Sequence, residues 1–196
     1  MKQNKINKKF VYLISPNKIT NIDFYINLDL VLSSKKISFF QLRLKKETNS
    51  NKLIIGRKIK KICNKYKVKF LINDDPLLAK KLNADGCHLG QKDMDLIKAR
   101  KILKNKIIGV TCHNSINLAK IAINAGADYL AFGAFYASKT KMVKYRASLK
   151  VLNSIKKITS IPIVAIGGIK VSNYKKLLLN KANFLAISGY IWNNKK

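Results

Sequence analysis

Nine acidic residues stand against 40 lysines and arginines in this chain, so the position of each carboxylate carries information. Two of them close short apolar runs. Asn73-Asp74-Asp75 follows Val68–Ile72, and Gly90-Gln91-Lys92-Asp93 follows Gly86–Leu89. If the runs are neighbouring strands, Asp74 and Asp93 offer hard oxygen ligands to one cation. Mg2+ suits this set, because it takes few protein ligands and completes its octahedron with phosphate oxygens and water. A structural reading competes. Asp75-Pro76 reads as a helix N-cap with proline in the first turn. Asp93 precedes the helical segment Met94–Leu103, and for it capping and metal binding both stay open.

A second set lies in Gln41-Leu42-Arg43-Leu44-Lys45, where alternation turns Gln41, Arg43 and Lys45 to one side of a strand. Three polar groups there need a partner, and an anionic ligand is a good one. The competing partner is a carboxylate, with Arg43 ion-paired to Asp74. Thr111 ends another run and brings a hydroxyl. Cys112 has no basic neighbour in sequence, so it reads as inert. His88 reads as structural and His113 as a cap or packing residue. Ser138-Lys139-Thr140-Lys141 alternates hydroxyls with lysines, which fits either a phosphate-gripping loop or a solvated basic one. Gly167-Gly168 and Ile187-Ser188-Gly189 end two late apolar runs, where backbone amides commonly cradle phosphate. One anion-binding centre near Arg43, Asp74 and Asp93 and a glycine cradle elsewhere predict two phosphorylated small molecules meeting at one mouth.

The elements that must position these residues are short apolar runs: Phe10–Ile14, Ile37–Leu44, Val68–Ile72, Gly86–Leu89, Ile107–Thr111, Tyr129–Phe132, Ile161–Ile166 and Phe184–Ser188. Such runs suit strands buried on both faces. Helical periodicity fills the gaps, as over Asn51–Tyr66, Met94–Leu103, Leu118–Ala125 (with Ser115 as a possible N-cap) and Val171–Asn180. Eight strand–helix units predict an α/β fold of the (β/α)8 TIM-barrel type, with residues 1–196 as a single domain. Asn83-Ala84-Asp85-Gly86, Gly126-Ala127-Asp128-Tyr129 and Lys181-Ala182-Asn183-Phe184 repeat one pattern before the fourth, sixth and eighth strands. No GxGxxG follows the first strand, which argues against a Rossmann sheet. Only Tyr190–Lys196 follows the eighth strand. A short form is therefore predicted, its final helix truncated to one turn or missing, with a neighbouring chain in a homo-oligomer as one cover for the gap.

The net charge of +31 comes almost wholly from lysine, with only Arg43, Arg57, Arg100 and Arg146 as arginines. The lysines spread along the chain instead of forming one dense tail, so no specific nucleic-acid partner is expected. The field still attracts anions in general. Cys63, Cys87 and Cys112 have no metal-type spacing. An odd count with no signal-like or membrane-length apolar run predicts reduced thiols, a cytoplasmic location and no membrane partner.

Taken together, Gln41-Leu42-Arg43-Leu44-Lys45, Asn73-Asp74, Asp85 through Asp93, Gly109-Val110-Thr111, Gly126-Ala127-Asp128-Tyr129, Ser138 through Lys141, and Ile161 through Ile169 resemble the thiamine-phosphate synthase family in order and spacing. The resemblance runs from about Val11 to Trp192. It implies condensation of hydroxymethylpyrimidine diphosphate with hydroxyethylthiazole phosphate to give thiamine phosphate and pyrophosphate, by a dissociative substitution that needs no general base. On that resemblance, Gln41, Arg43, Lys45 and Asn73 bind the pyrimidine diphosphate and Asp74 and Asp93 bind Mg2+. Lys141 contacts the leaving diphosphate, and Thr111 stands where the family often has serine. Ser138 and Thr140 face the thiazole phosphate, cradled by Gly167, Gly168, Ile187 and Ser188. Arg43, Lys45, Thr111 and Lys141 are the implied catalytic set. Departures are Lys139, the Met142–Tyr145 stretch and Ser188-Gly189-Tyr190. Two other readings are a related thiazole-tautomer isomerase, which would use a histidine after strand five such as His113, and a non-catalytic phosphometabolite- or RNA-binding barrel.

Overall fold

The computed structural model describes residues 10–137 and 145–193. Eight parallel strands pair in chain order and β8 returns to β1, closing a barrel. They are β1 Val11–Ile14, β2 Ile37–Leu42, β3 Lys69–Asn73, β4 Gly86–Leu89, β5 Ile107–His113, β6 Tyr129–Gly133, β7 Ile163–Ile166 and β8 Phe184–Ile187. The helices are α1 Asp23–Ser33, α2 Asn49–Lys65, α3 Pro76–Lys81, α4 Leu96–Leu103, α5 Ile116–Asn124, α6 Leu149–Lys156, α7 Tyr174–Leu179 and α8 Gly189–Trp192. Among the described residues no helix is long and apolar enough to cross a membrane.

Local chemistry sets the helix starts. Thr48 accepts the Asn51 amide at 3.2 Å, Asp75 the Leu78 amide at 2.9 Å, and Ser115 the Leu118 amide at 3.2 Å. Asp95, not Asp93, caps α4, accepting from Ile97 at 3.0 Å and Lys98 at 3.2 Å. The helix therefore begins two residues later than its apolar periodicity suggests. That removes the capping role weighed for Asp93. Likewise α7 starts at Tyr174, because Asn173 folds its side chain back onto Lys170 N and Gly168 O.

Outward residues of the strands, such as Phe40, Phe70, Cys87, Ile108, Phe132 and Leu185, pack under the helices. The inward set mixes aliphatic residues with four aromatic rings. Tyr12, Phe39, Tyr129 and Phe184 plug the barrel, with Phe39 on Phe184 at 5.0 Å and Tyr12 on Phe39 at 5.4 Å. This plug fills the interior, and barrel ligands sit at the C-terminal ends of the strands.

The threefold repeat has a mechanical role at the opposite end. Asp85 Oδ2 accepts from Phe70 N at 2.9 Å, Asp128 Oδ2 from Ile108 N at 2.7 Å, and Asn183 Oδ1 from Ile163 N at 2.8 Å. Each residue also donates its own amide, at 2.8 Å, to the carbonyl of the same partner. Strands 3, 5 and 7 are thus each clamped to the chain that enters strands 4, 6 and 8.

The eighth helix is one turn, within the short form predicted. It is held by Trp192 Nε1 donating to Ile14 O at 2.6 Å and Ser188 Oγ donating to Ser15 O at 3.1 Å. The indole also lies 5.2 Å from the Phe24 ring of α1, so one tryptophan covers the β8–β1 seam.

Candidate active site

The ends of β2, β3 and β4 bring together the polar residues that the sequence singles out. Gln41 is buried, and its amide nitrogen donates to Asn73 Oδ1. Lys45 Nζ lies 2.8 Å from Asp74 Oδ2. The competing reading, an ion pair of Arg43 with Asp74, is not found among the described residues. Lysine takes that carboxylate, and Arg43 Nη1 donates instead to Asn17 Oδ1 at 3.1 Å. The Arg43 amide is fastened to Ser15 Oγ at 2.9 Å, tying the ends of β1 and β2 together.

Asp74 takes a left-handed backbone, φ 65°, which aspartate tolerates better than most residues. Its amide donates to His88 O at 2.8 Å. From β4, the Asp93 carboxylate turns back to accept Gly90 N at 2.6 Å. A Cβ on Gly90 would sit 2.9 Å from that oxygen and would make the carboxylate shift. The two carboxyl groups are within hydrogen-bonding reach of each other. Burial opposes ionisation at Asp74, but hydrogen bonds from Lys45 and Asp93 outweigh it and hold its carboxyl below the ordinary value. Burial and the adjacent Asp74 push Asp93 up. Two acids in contact must share a proton or a cation. Hard oxygen ligands, two in number and open to the mouth, fit Mg2+ completed by phosphate and water. Among the described residues no third His, Cys, Asp or Glu joins them. A cleft of about 170 Å³ lies beside Asp74 and reaches Lys45 and Lys52.

Inside the mouth, His88 bridges two hydroxyls, Tyr129 Oη at Nδ1 and Thr111 Oγ1 at Nε2, each at 2.8 Å. Tyr12 Oη lies 2.8 Å from Tyr129 Oη. Burial holds both tyrosines protonated and pushes the imidazole down to about 4. Gln91 Nε2 donates to Thr111 O at 2.5 Å. The His113 ring packs against Tyr145, tilted by 33° with centroids 4.3 Å apart, in keeping with the packing role expected of it. Cys112 is buried, its thiol pushed up to about 12 by burial, in keeping with an inert side chain.

Across the barrel, Gly167 and Gly168 have φ values of 105° and 60°. A Cβ on Gly167 would lie 2.3 Å from Ala134 Cβ, and one on Gly168 would lie 2.2 Å from Ala137 O. Both positions thus require glycine for close approach to the chain leaving β6. Neither donates its amide to a described residue, nor do Ser188 and Gly189. Ile187 ends β8 and brings Ser188 to the rim. Ser138, Thr140 and Lys141 lie outside the described residues. Sequence reasoning missed Ser15, Asn17 and the two interior tyrosines. Ser15-Pro16-Asn17 follows the first apolar run, a position that could have flagged it. Nothing in the local sequence marks Tyr12.

The family model for thiamine monophosphate synthase matches residues 11–191. A thiamine-phosphate synthase of Pelagibacter ubique (strain HTCC1062) is 91% identical over 196 residues, covering 100% of this chain and 95% of that protein. One from Marinobacter nauticus (strain ATCC 700491 / DSM 11845 / VT8) is 41% identical over 181 residues, or 91% of this chain and 81% of the relative. A solved thiamine phosphate pyrophosphorylase from Pyrococcus furiosus superposes with a TM-score of 0.82 at 27% identity, covering 93% of this chain and 87% of that one. With the closed barrel, these likenesses define a transferase of the diphosphorylase type. Within that class the chain belongs to the thiamine monophosphate synthase family.

Proposed function

We propose that the chain joins hydroxymethylpyrimidine diphosphate to hydroxyethylthiazole phosphate, releasing pyrophosphate, with Mg2+ held by Asp74 and Asp93. The observation that carries this is the pair of touching carboxylates, one 2.8 Å from Lys45, at the mouth of the barrel. Such an arrangement is costly in itself and becomes favourable when a divalent cation and a polyanion complete it. The bound ion supplies charge neutralisation on the diphosphate oxygens.

The chain's own residues do the rest. Lys45 and the Asn17-braced Arg43 meet the diphosphate as fixed positive charges and stabilise it as it leaves the pyrimidine CH2 group. The hydrogen-bonded Gln41–Asn73 pair and Thr111 orient the pyrimidine ring. The backbone amides of Gly167, Gly168, Ser188 and Gly189 receive the thiazole phosphate. Ser138 and Thr140 join that phosphate, and Lys141 joins the leaving diphosphate. The thiazole nitrogen then forms the new C–N bond, and no side chain has to remove a proton.

The test is pyrophosphate release from the two substrates, with Mg2+ and with chelator. We expect release only with Mg2+. Asp93→Ala should lower it by at least about 100-fold, the scale of losing one strong transition-state interaction, while the melting temperature stays within a few degrees. An Asp93→Ala protein that keeps both turnover and its Mg2+ requirement defeats this assignment. A wild-type protein that releases no pyrophosphate defeats the function itself.

A further inference from the structure

Four groups run in single file up the inside of the barrel: Tyr12, Tyr129, His88 and Thr111, with three contacts of 2.8 Å between them. With the imidazole neutral, each group brings one polar hydrogen, and three hydrogen bonds use three. One proton is left over, and its position decides the direction of the whole file.

Consider each place for it. Left on Tyr12, it lies on a hydroxyl 1% exposed, whose partner among the described residues is Tyr129. Left on Tyr129, it lies on a side chain 3% exposed, with both neighbours donating to its oxygen. A buried donor with no acceptor is the costly outcome in hydrogen bonding. His88 cannot hold it, because a neutral ring accepting at both nitrogens has none to spare. Only Thr111, half-buried at the end of the inward face of β5, places the spare proton where a ligand or water can take it.

We propose that this file is a one-way donor chain: Tyr12 donates to Tyr129, Tyr129 to His88 Nδ1, and His88 Nε2–H to Thr111, which turns the threonine hydroxyl proton out to a lone-pair acceptor on the heterocyclic substrate. Tyr12, Tyr129 and His88 are positioning residues in this scheme, and the inference rests on the reading of the mouth as the heterocycle site. Both ring nitrogens face hydroxyls and neither faces a carboxylate, so the file takes a ring with a single hydrogen. The geometry is specified from the backbone outward. A Cβ on Gly109 would fall 1.8 Å from Tyr129 Cζ, so a glycine on β5 is what admits the tyrosine ring beneath His88. The ring then stacks on the imidazole at 5.6 Å. No proton need be transferred along the file; its effect is to set which way one hydroxyl points.

Two measurements test it. The chain has two histidines, so nitrogen NMR of the 15N-labelled protein at pH 8, with His113→Gln for assignment, reads the His88 ring directly. We expect Nε2 protonated and Nδ1 bare; an Nδ1–H ring overturns the proposal. The second is a double-mutant cycle on kcat/KM for the pyrimidine substrate. Tyr129→Phe should cost about tenfold when Thr111 is present and under about twofold in Thr111→Val, with the full cost returning in Thr111→Ser. Equal losses in all three backgrounds would mean Tyr129 is merely structural, and the proposal fails. The tautomer is measured on the wild-type ring, so it decides the question even where a Tyr129→Phe chain fails to fold. Normal pyrophosphate release with the wrong tautomer sinks this inference alone. No release at all sinks the functional reading instead.

Discussion

A neutral imidazole inside the barrel couples folding to acidity. His88 titrates near 4 in the folded chain, below its ordinary value of 6.5, because burial disfavours the charged ring. The unfolded chain therefore binds more protons between those values. This contribution is fully present above about pH 6.5 and is lost as pH falls toward 4, by about 2 kcal/mol at pH 5. Urea midpoints at pH 7 and pH 5 should show the drop, and His88→Gln should flatten it. Equal slopes in both proteins would show that His88 is not the group responsible. At this scale the sequence marks Asp74, Asp93, Gln41, Lys45 and Asn73 well, because polar residues at the ends of apolar runs are conspicuous. It does not show that Lys45, not Arg43, takes Asp74, since that choice depends on how far two strand ends lie apart.

Between strands, the clamps made by Asp85, Asp128 and Asn183 are the barrel's joints. Asn183→Ala leaves Ile163 N without its acceptor at the end remote from the mouth. An unsatisfied buried amide costs about 1–3 kcal/mol, so we expect a melting temperature lower by about 3–8 °C. Turnover at 25 °C should stay within about twofold. A variant that melts normally and loses turnover would contradict this division of labour. The repeat itself is legible in the sequence, and so are all eight strands to within one or two residues at most ends. Its purpose is not. Local pattern assigns the repeated acid or amide to a turn, whereas its partner is an amide at the start of the preceding strand, some 15–20 residues away in sequence. Helix starts differ from expectation where side chains compete for caps, as Asp95 does over Asp93.

For the molecule as a whole, a charge of +31 acts on any anionic ligand before contact. If the substrates are phosphorylated as proposed, kcat/KM should fall several-fold between about 20 mM and 500 mM salt, while kcat moves little, because screening weakens encounter more than the fixed contacts at the mouth. A salt-independent kcat/KM would mean that the surface lysines contribute nothing to capture. The barrel class is readable from the alternation of strand and helix. So is closure, from the count of eight such units; what the sequence does not show is that one indole covers the paired β8–β1 seam.

Trp192 is the chain's sole tryptophan. Its ring nitrogen is committed to the carbonyl of Ile14, and Ser188, at the start of the same turn, donates its hydroxyl to Ser15 O. The protein therefore carries its own optical gauge. Emission from a single fluorophore reports on the seam where the sheet is joined and on events a few residues away, with no label and no background from other indoles. Titrating phosphorylated compounds while watching that emission would follow occupancy of the rim in real time.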